Sequence, residues 1–320
     1  MMIRRLILAT LLSLTTPALA ASDDCDMGCL DAHADAYLDA LVAKDTSSLP
    51  LAKDVHFSEN LIPLTIGEEG LWRTITAKRD WDIYASDEEL GHANWIGIVD
   101  EMGNAVFLAI RLKIENGEIT EAETLVGRSP LTAADHAPPA RDFFSEIEPA
   151  ETRSSRDRLM EIVHQHWDAM ETGKAIRSNY RDDCVRYDNG HLTTGTKKSP
   201  AEGGPPSTNL GEFGCNGQMA SGRFVNGNTV YPRRFWGVDE ERGLVIGYFS
   251  PNVPGDATSV EVYGQTVEMG PGELVPFTIQ QVELFKVVDG QVKGVEVVFG
   301  PRVPFGMRSP FDMKDLWRQK

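Results

Sequence analysis

The feature that most constrains the fold of this chain is an internal duplication. Four pairs of segments match between its halves: 37–41 with 166–170, 59–60 with 188–189, 99–108 with 238–246, and 114–119 with 287–292. The first two pairs share one offset of 129 residues, and the later pairs require insertions of ten and 34 residues in the second half. Because self-similarity indicates repeated structural units, we predict two copies of one domain, with extra loops in the second.

Each half is predicted to begin with an amphipathic helix and to continue as strands. Apolar residues recur at helical spacing between residues 30 and 42 and between residues 159 and 170. Asn116-Gly117 and Asp289-Gly290 follow apolar runs and accept the positive φ angles of two-residue hairpin turns. This order predicts an α+β domain in each half, with an N-terminal helix packed on an antiparallel sheet.

The domain boundaries follow from the duplication and from proline content. Residues 129–155 contain four prolines and few aliphatic residues, which is typical of a linker. We therefore place the first domain at residues 21–128 and the second, with its insertions, at residues 156–320.

The first 20 residues are interpreted as a cleavable secretory signal peptide. Arg4 and Arg5 precede a short apolar stretch, which ends at the small residues Ala18 and Ala20. A membrane anchor is the alternative, but threonines and a serine interrupt the stretch, and a spanning helix needs about 20 apolar residues. The protein is therefore expected to be exported, to the periplasm or the extracellular space, and to begin at or near Ala21.

The acidic charge of the chain limits its expected partners. The formal net charge is −17, and removal of Arg4 and Arg5 makes it −19. An acidic surface repels phosphate backbones and anionic lipid, so neither nucleic acid nor a membrane is expected as a partner. A small-molecule ligand is the expected partner, and a homo-oligomer is left open.

All four cysteines lie in the part of the chain that follows the signal peptide. An oxidising compartment favours disulfides, and we prefer the pairs Cys184–Cys215 and Cys25–Cys29. Four cysteines permit three connectivities, among which sequence alone does not choose. A structural zinc site is the alternative, but the interval from 184 to 215 lacks a second close pair of ligands, so no metal is predicted.

Both the order of elements and several short motifs resemble known proteins. A helix followed by long hairpin-linked strands resembles the nuclear transport factor 2-like fold, in which a curved sheet wraps around helices to form a cone. Four segments are similar to a family of exported tandem-domain proteins of unknown function in that superfamily: 57–60 (FSEN), 184–190 (CVRYDNG), 233–243 (RRFWGVDEERG) and 304–307 (PFGM). The resemblance implies two tandem cone-shaped domains. The superfamily includes ketosteroid isomerases, scytalone dehydratases, polyketide cyclases and aldol-type lyases as well as non-catalytic binding modules, so fold does not decide function.

Two positions that match between the halves are candidates for acid–base chemistry. His166 lies in the apolar stripe of its helix, where the first half has Tyr37, and a histidine could transfer a proton near neutral pH. The alternative is a core histidine with a satisfied partner. Asp188 and Glu59 occupy matching strand positions, where a partly desolvated carboxylate could act as a general base or could simply bind turn backbone.

Arginines and aromatic or titratable neighbours add to the candidate site in the second half. A guanidinium of Arg186 or Arg234 would bind a carboxylate or polarise a carbonyl, although surface ion pairing is the alternative. In an extended segment, Arg186 and Asp188 would share one face, with Tyr187 and His191 on the other.

These candidates lead to one functional hypothesis and one alternative. We predict catalytic roles for His166, Asp188, Arg186 and Arg234 in an isomerase, dehydratase or lyase. Tyr37, Glu59, Tyr187 and His191 are expected to line the pocket. The alternative is a non-catalytic ligand-binding or interaction module. No cofactor is expected, because the glycine-rich stretch at 203–206 lacks the pattern of a phosphate-binding loop.

Protein recovered from outside the cytoplasm of its native host is expected to begin at or near Ala21, because the peptidase cleaves after the small residues at 18 and 20. N-terminal sequencing or intact mass spectrometry measures this directly. A chain that retains Arg4 and Arg5 would contradict the interpretation.

Overall fold

The structure is a computed structural model, which describes residues 25–128, 141–226 and 228–312. The predicted signal peptide, residues 1–20, lies outside the described residues, and so do residues 129–140 of the predicted linker.

The first half is a helix packed against one six-stranded sheet. Its elements are α1 (Met27–Ala43), β1 (Leu51–Glu59), β2 (Ile62–Leu64), α2 (Leu71–Thr74), β3 (Ile75–Tyr84), β4 (His92–Glu101), β5 (Asn104–Glu115) and β6 (Glu118–Gly127). The N-cap Asp26 starts α1 by accepting a hydrogen bond from the backbone N–H of Cys29, and Lys44 ends it in the left-handed conformation. The strand order is β2-β1-β6-β5-β4-β3.

The second half repeats this arrangement and adds to it. Its elements are α3 (Arg156–Thr172), β7 (Tyr180–Asp188), β8 (His191–Leu192), α4 (Cys215–Met219), β9 (Thr229–Asp239), β10 (Leu244–Val253), β11 (Ser259–Val262), β12 (Gln265–Glu268), β13 (Phe277–Val288) and β14 (Gln291–Pro304). The strand order of the main sheet is β8-β7-β14-β13-β10-β9, while β11 and β12 form a separate hairpin.

The predicted fold class is confirmed, with one difference inside each sheet. Both halves are α+β, and each begins with the predicted helix. Each sheet is mixed, because β1 pairs with β6 in parallel and β7 pairs with β14 in parallel, whereas the other neighbouring strands are antiparallel. Hairpin turns in the sequence predict only local reversals of the chain. They carry no signal for a pairing between the first and last strands of a half.

Each sheet is covered by its own helix on one face and by the other sheet on its second face. We call these the inner and the outer face. On β5, Leu108 and Ile110 pack with α1, while Phe107 and Ala109 belong to a cluster shared with the second half. The layers therefore run helix, sheet, sheet, helix. Because both faces are buried, the central strands are continuously apolar instead of alternating.

The strand order corrects one of the four segment matches. By sheet position, β4 corresponds to β10 and β5 corresponds to β13. Residues 99–108 hold the end of β4 and the start of β5, whereas residues 238–246 hold the end of β9 and the start of β10. The match was wrong because both segments join an acidic turn to an apolar strand. The insertions therefore lie between β8 and β9 and between β10 and β13.

Both predicted disulfides are present. Cys25–Cys29 joins the segment that precedes α1 to the first turn of this helix, and Cys184–Cys215 links β7 to α4 in the first insertion. Within the described residues, no helix is both long and apolar enough to cross a membrane.

Leu284→Ala tests whether the shared cluster holds the two halves together. Leu284 is fully buried between the sheets, so the substitution should lower the free energy of unfolding by about 2–5 kcal/mol while preserving a single transition. Urea denaturation followed by circular dichroism measures both quantities. Leu192→Ala, at a position that is 56% exposed, is the control and should cost less than about 0.5 kcal/mol. The shared core would be contradicted if the variant unfolded in two separate transitions, one of them at the urea midpoint of the wild type.

Candidate functional site

A connected set of buried polar side chains lies on the inner face of the second sheet. Arg186 of β7 donates hydrogen bonds through Nη1 to Oε1 of Glu283, at 2.8 Å, and through Nε to Oδ1 of Asp188, at 2.8 Å. Trp167 of α3 donates its indole N–H to Oε2 of Glu283, at 2.8 Å. His166 Nε2 lies 3.9 Å from the same oxygen. Glu283 is fully buried, and because Arg186, Trp167 and His166 all lie against its carboxylate, it is the centre of this set. We call the set the inner network.

Local backbone features position the members of the inner network. Arg186 and Asp188 alternate with Tyr187 along β7, so both point to the inner face, as predicted. Gly247 of β10 lies under the Trp167 ring, and a Cβ atom there would approach the ring to 2.5 Å. The absence of a side chain at Gly247 lets Trp167 lie close to the sheet and reach Glu283.

His166 is a buried, neutral ring. It is 1% exposed, and its Nδ1 lies 3.0 Å from the hydroxyl of Tyr180. Burial lowers the pKa of His166 well below its ordinary value, and the nearby charge of Arg186 lowers it further. No direct hydrogen bond joins His166 to Asp188 among the described contacts. Within the described part of the chain, Glu283 and Arg186 lie between the two predicted acid–base groups and connect them.

Asp188 is the member of the inner network that reaches solvent. Its side chain is 29% exposed and borders an open groove of about 730 Å³. Burial raises the pKa of Asp188, while the positive charge of Arg186 partly opposes this increase. The groove is lined by Arg128, Asp188, Asn189, His191, Thr193, Ile279, Phe299, Gly300, Pro301 and Arg302. We call it the Asp188 groove.

Tyr187 and His191 were predicted to share one face of an extended segment, but the structure separates them. Asn189 and Gly190 both have positive φ angles and form a turn, so β8 folds back and His191 pairs with Asp188. His191 therefore lines the Asp188 groove. The ring of Tyr187 lies on the outer face, 3.3 Å from the guanidinium of Arg141.

Arg234 lies on the opposite side of the sheet from the inner network. It binds both carboxylate oxygens of Glu123 in the first half, at 2.7 and 3.0 Å. Its neighbour Arg233 reaches Asp168 of α3 instead. Because adjacent strand residues point to opposite faces, the structure does not bring Arg234 together with His166.

Tyr37 and Glu59, the first-half residues that match His166 and Asp188, make different contacts. The Tyr37 hydroxyl is buried and accepts a hydrogen bond from the Trp72 indole at 3.3 Å, and burial raises the pKa of Tyr37. Glu59 accepts a hydrogen bond from the backbone N–H of Leu71 at 2.6 Å and pairs with Arg128 at 2.7 Å. Glu59 thus binds the backbone at the start of α2.

The inner network is confined to the second half. Counted from the matching hairpin turns, Glu283 corresponds to Ile110, and the offset of the first strands places Arg186 opposite Phe57. Both first-half residues belong to its apolar core. Glu283 was not predicted from the sequence. The feature that could have identified it is its place as the one acidic residue of β13.

One group of side chains among the described residues has metal-binding spacing. Cys25, Cys29 and His33 bring their ligand atoms within 4.8 Å of one another. Both sulfur atoms are joined in the disulfide, so they are not available as thiolate ligands.

Comparison with known proteins identifies the family. The family model for Domain of unknown function (DUF8021) matches residues 26–126 and 152–299. The chain belongs to this family. The two matched segments follow the two halves and confirm the predicted tandem family of unknown function. None of the curated proteins matches the chain.

Three solved structures with similarity to this chain each cover between 38% and 51% of it. A candidate polyketide cyclase from Silicibacter sp. TM1040 is 11% identical over 51% of this chain and 96% of its own, with a TM-score of 0.27. A candidate ketosteroid isomerase from Kribbella flavida is 19% identical over 38% and 91%, with a TM-score of 0.25. An NTF2-like protein from Cytophaga hutchinsonii is 11% identical over 46% and 98%, with a TM-score of 0.25.

The His166 ring is expected to stay neutral as the pH falls below its ordinary pKa of about 6.5, because burial disfavours its charged form. The unfolded chain binds this proton near the ordinary pKa of about 6.5, so His166 lowers stability progressively as the pH falls below that value. NMR of the imidazole nuclei measures the titration, and His166→Gln should reduce the loss of stability in acid. A native-state titration of this ring near pH 6.5 would contradict its placement.

Proposed function

We propose that this protein is an exported small-molecule-binding protein whose ligand binds in the Asp188 groove. The observation that carries the proposal is the half-buried carboxylate of Asp188, which borders the groove and accepts a hydrogen bond from Arg186. Arg186 in turn forms a buried ion pair with Glu283. Apolar groove residues, Ile279, Phe299 and Pro301, offer contact to the body of a ligand, while Asp188 and His191 offer polar contacts. Apolar walls together with polar groups that can orient a ligand are typical of small-molecule sites.

The buried ion pair supports a functional role for Asp188. Placing Arg186 and Glu283 in a core removes both charges from water, and an apolar pair of similar volume is often at least as stable. The first half has the apolar pair Phe57 and Ile110 at these positions. In this proposal Arg186 and Glu283 are retained because they fix the direction of the Asp188 carboxylate. The two disulfides suit the oxidising compartment that export implies.

A second candidate function is proton transfer by Asp188. The raised pKa of Asp188 makes its carboxylate a stronger base than an exposed aspartate, which favours abstraction of a proton from a carbon acid or a hydroxyl group. This is the chemistry of a cofactor-independent isomerase, dehydratase or lyase. In this version Asp188 contacts the substrate, Arg186 positions Asp188, and His166 acts only through Glu283. Arg234 has no role in that site.

Asp188→Asn distinguishes ligand binding at this groove from binding elsewhere. A panel of small carbonyl and hydroxylated compounds is first screened for thermal stabilisation of the wild-type chain. For any compound that stabilises it, calorimetry should show at least about tenfold weaker binding to Asp188→Asn, which corresponds to about 1.4 kcal/mol. Asp182→Asn, on the same strand but 91% exposed, is the matched control and should bind as the wild type does. Unchanged affinity in Asp188→Asn would contradict the proposed site.

Exchange of substrate C–H for deuterium in D₂O tests the catalytic version separately. Bound carbonyl compounds should exchange an acidic C–H faster with wild-type protein than with Asp188→Asn, as measured by proton NMR. Binding without any exchange in the wild type supports the non-catalytic alternative.

A further inference from the structure

The last described residues lie across the contact between the two halves. After β14 the chain continues as residues 305–312, which we call the strap. Gly306 donates its N–H to the hydroxyl of Thr278 at 2.9 Å, and the Ser309 hydroxyl donates to Glu123 at 2.7 Å. The strap adds no strand to either sheet. Hydrogen bonds and the packing of Ser309 and Pro310, which are buried, hold it in place instead of strand pairing.

The strap covers a row of alternating charges that both halves contribute. The row runs Glu121, Arg111, Glu123, Arg234 and Asp312, with nitrogen–oxygen distances of 2.7, 3.2, 2.7 and 3.0 Å between successive members. The Arg111 side chain is fully buried, and Arg234 is 10% exposed. Only Asp312 belongs to the strap.

Two adjacent strap side chains contact the two guanidinium groups of this row. The Asp312 carboxylate lies 3.0 Å from Nε of Arg234, and the Phe311 ring centre lies 4.7 Å from the guanidinium carbon of Arg111. Trp236 stacks on Arg111 from 4.6 Å and thus adds a further aromatic surface. Together these contacts recognise a carboxylate and an aromatic ring side by side.

Glu123, which lies outside the strap, also holds the guanidinium groups of Arg111 and Arg234. Glu123 binds both arginines. Burial raises the pKa of Glu123, but the charges of Arg234 and Arg111 outweigh this effect and lower the pKa to about 2. Glu123 is therefore ionised throughout the physiological range and holds the two cations together. Displacement of the strap would leave Nε of Arg234 available to another carboxylate.

Unsatisfied polar atoms continue behind the charged row. A small cavity of about 10 Å³ borders Arg234 and is lined by Tyr248, Gln280 and Gln281. The Tyr248 hydroxyl and the Oε1 atoms of both glutamines are buried and have no hydrogen-bond partner among the described residues. Buried polar groups of this kind are normally satisfied by protein, water or a ligand. The space is a polar extension of the region that the strap covers.

We propose that the strap occupies a binding site for small aromatic carboxylates, which enter when the strap is displaced. The ligand carboxylate takes the place of Asp312 on Arg234, and the ligand ring takes the place of Phe311 beside Arg111. Because the strap is tethered, it competes at a high effective concentration, and a free ligand binds the wild-type chain weakly.

The test weakens the strap in the full-length chain and uses phenylacetate as the probe. Phe311→Ala combined with Asp312→Asn should bind phenylacetate at least about tenfold more tightly than the wild type, as the intramolecular competitor is weakened. Calorimetry measures affinity, and the indole resonance of Trp236 reports the location. The uncharged 2-phenylethanol, which has a ring but no carboxylate, should not bind. Phe305→Ala is the matched control, because Phe305 is a half-exposed strap residue, and should behave as the wild type.

Three outcomes would overturn the proposal. The first is equal phenylacetate affinity in the wild type and the double variant. The second is equal binding of phenylacetate and 2-phenylethanol. The third is a double variant that retains the wild-type circular dichroism spectrum and binds no phenylacetate at about 10 mM. Asp188→Asn should leave phenylacetate binding unchanged, so this test is independent of the proposed groove.

Discussion

The contact between the outer faces of the two sheets is the interaction on which the rest of the structure depends. Each half already buries the inner face of its sheet beneath a helix, so the outer face is the second apolar surface that must leave water. Phe107 from the first sheet and Leu284 from the second meet in one cluster with exposures of zero. Burial of apolar area at about 25 cal/mol per Å² makes such a contact a large part of the folding free energy. Neither half is complete without the other.

This contact also explains where the chain keeps its buried charges. Glu123 of β6 and Glu296 of β14 occupy matching positions, and both point into the region between the halves. Among the described residues, Glu123 forms ion pairs with two arginines, whereas Glu296 forms an ion pair with one, Arg141, at 2.7 Å. Burial raises the pKa of Glu296 to about 8, despite the opposing charge of Arg141. Of these two matching glutamates, Glu123 is therefore ionised, whereas Glu296 is readily protonated near neutral pH.

The sequence predicted features that depend on local chemistry or on repetition. The helix at α3 followed from the spacing of residues such as Leu159 and Ile162, and the disulfides followed from compartment and proximity. Features that depend on distant pairing were not predictable, because no local pattern specifies that Val295 lies beside Arg186. Glu283 was missed for the same reason. Its importance comes from Arg186 and Trp167, which lie about a hundred residues away in the sequence.

The parallel pairing of first and last strands has a consequence for how the protein is made. In the second half, Arg186 of β7 pairs in register with Val295 of β14, and in the first half His56 pairs with Glu121. Contacts between such distant residues form slowly, because a long loop must close before they are gained. A chain that is made from its N-terminus therefore holds no finished sheet until the last strand of each half has been added. In each half the topology delays completion of the sheet until nearly the whole half is present, because the first strand has no neighbour on one side before the last strand arrives.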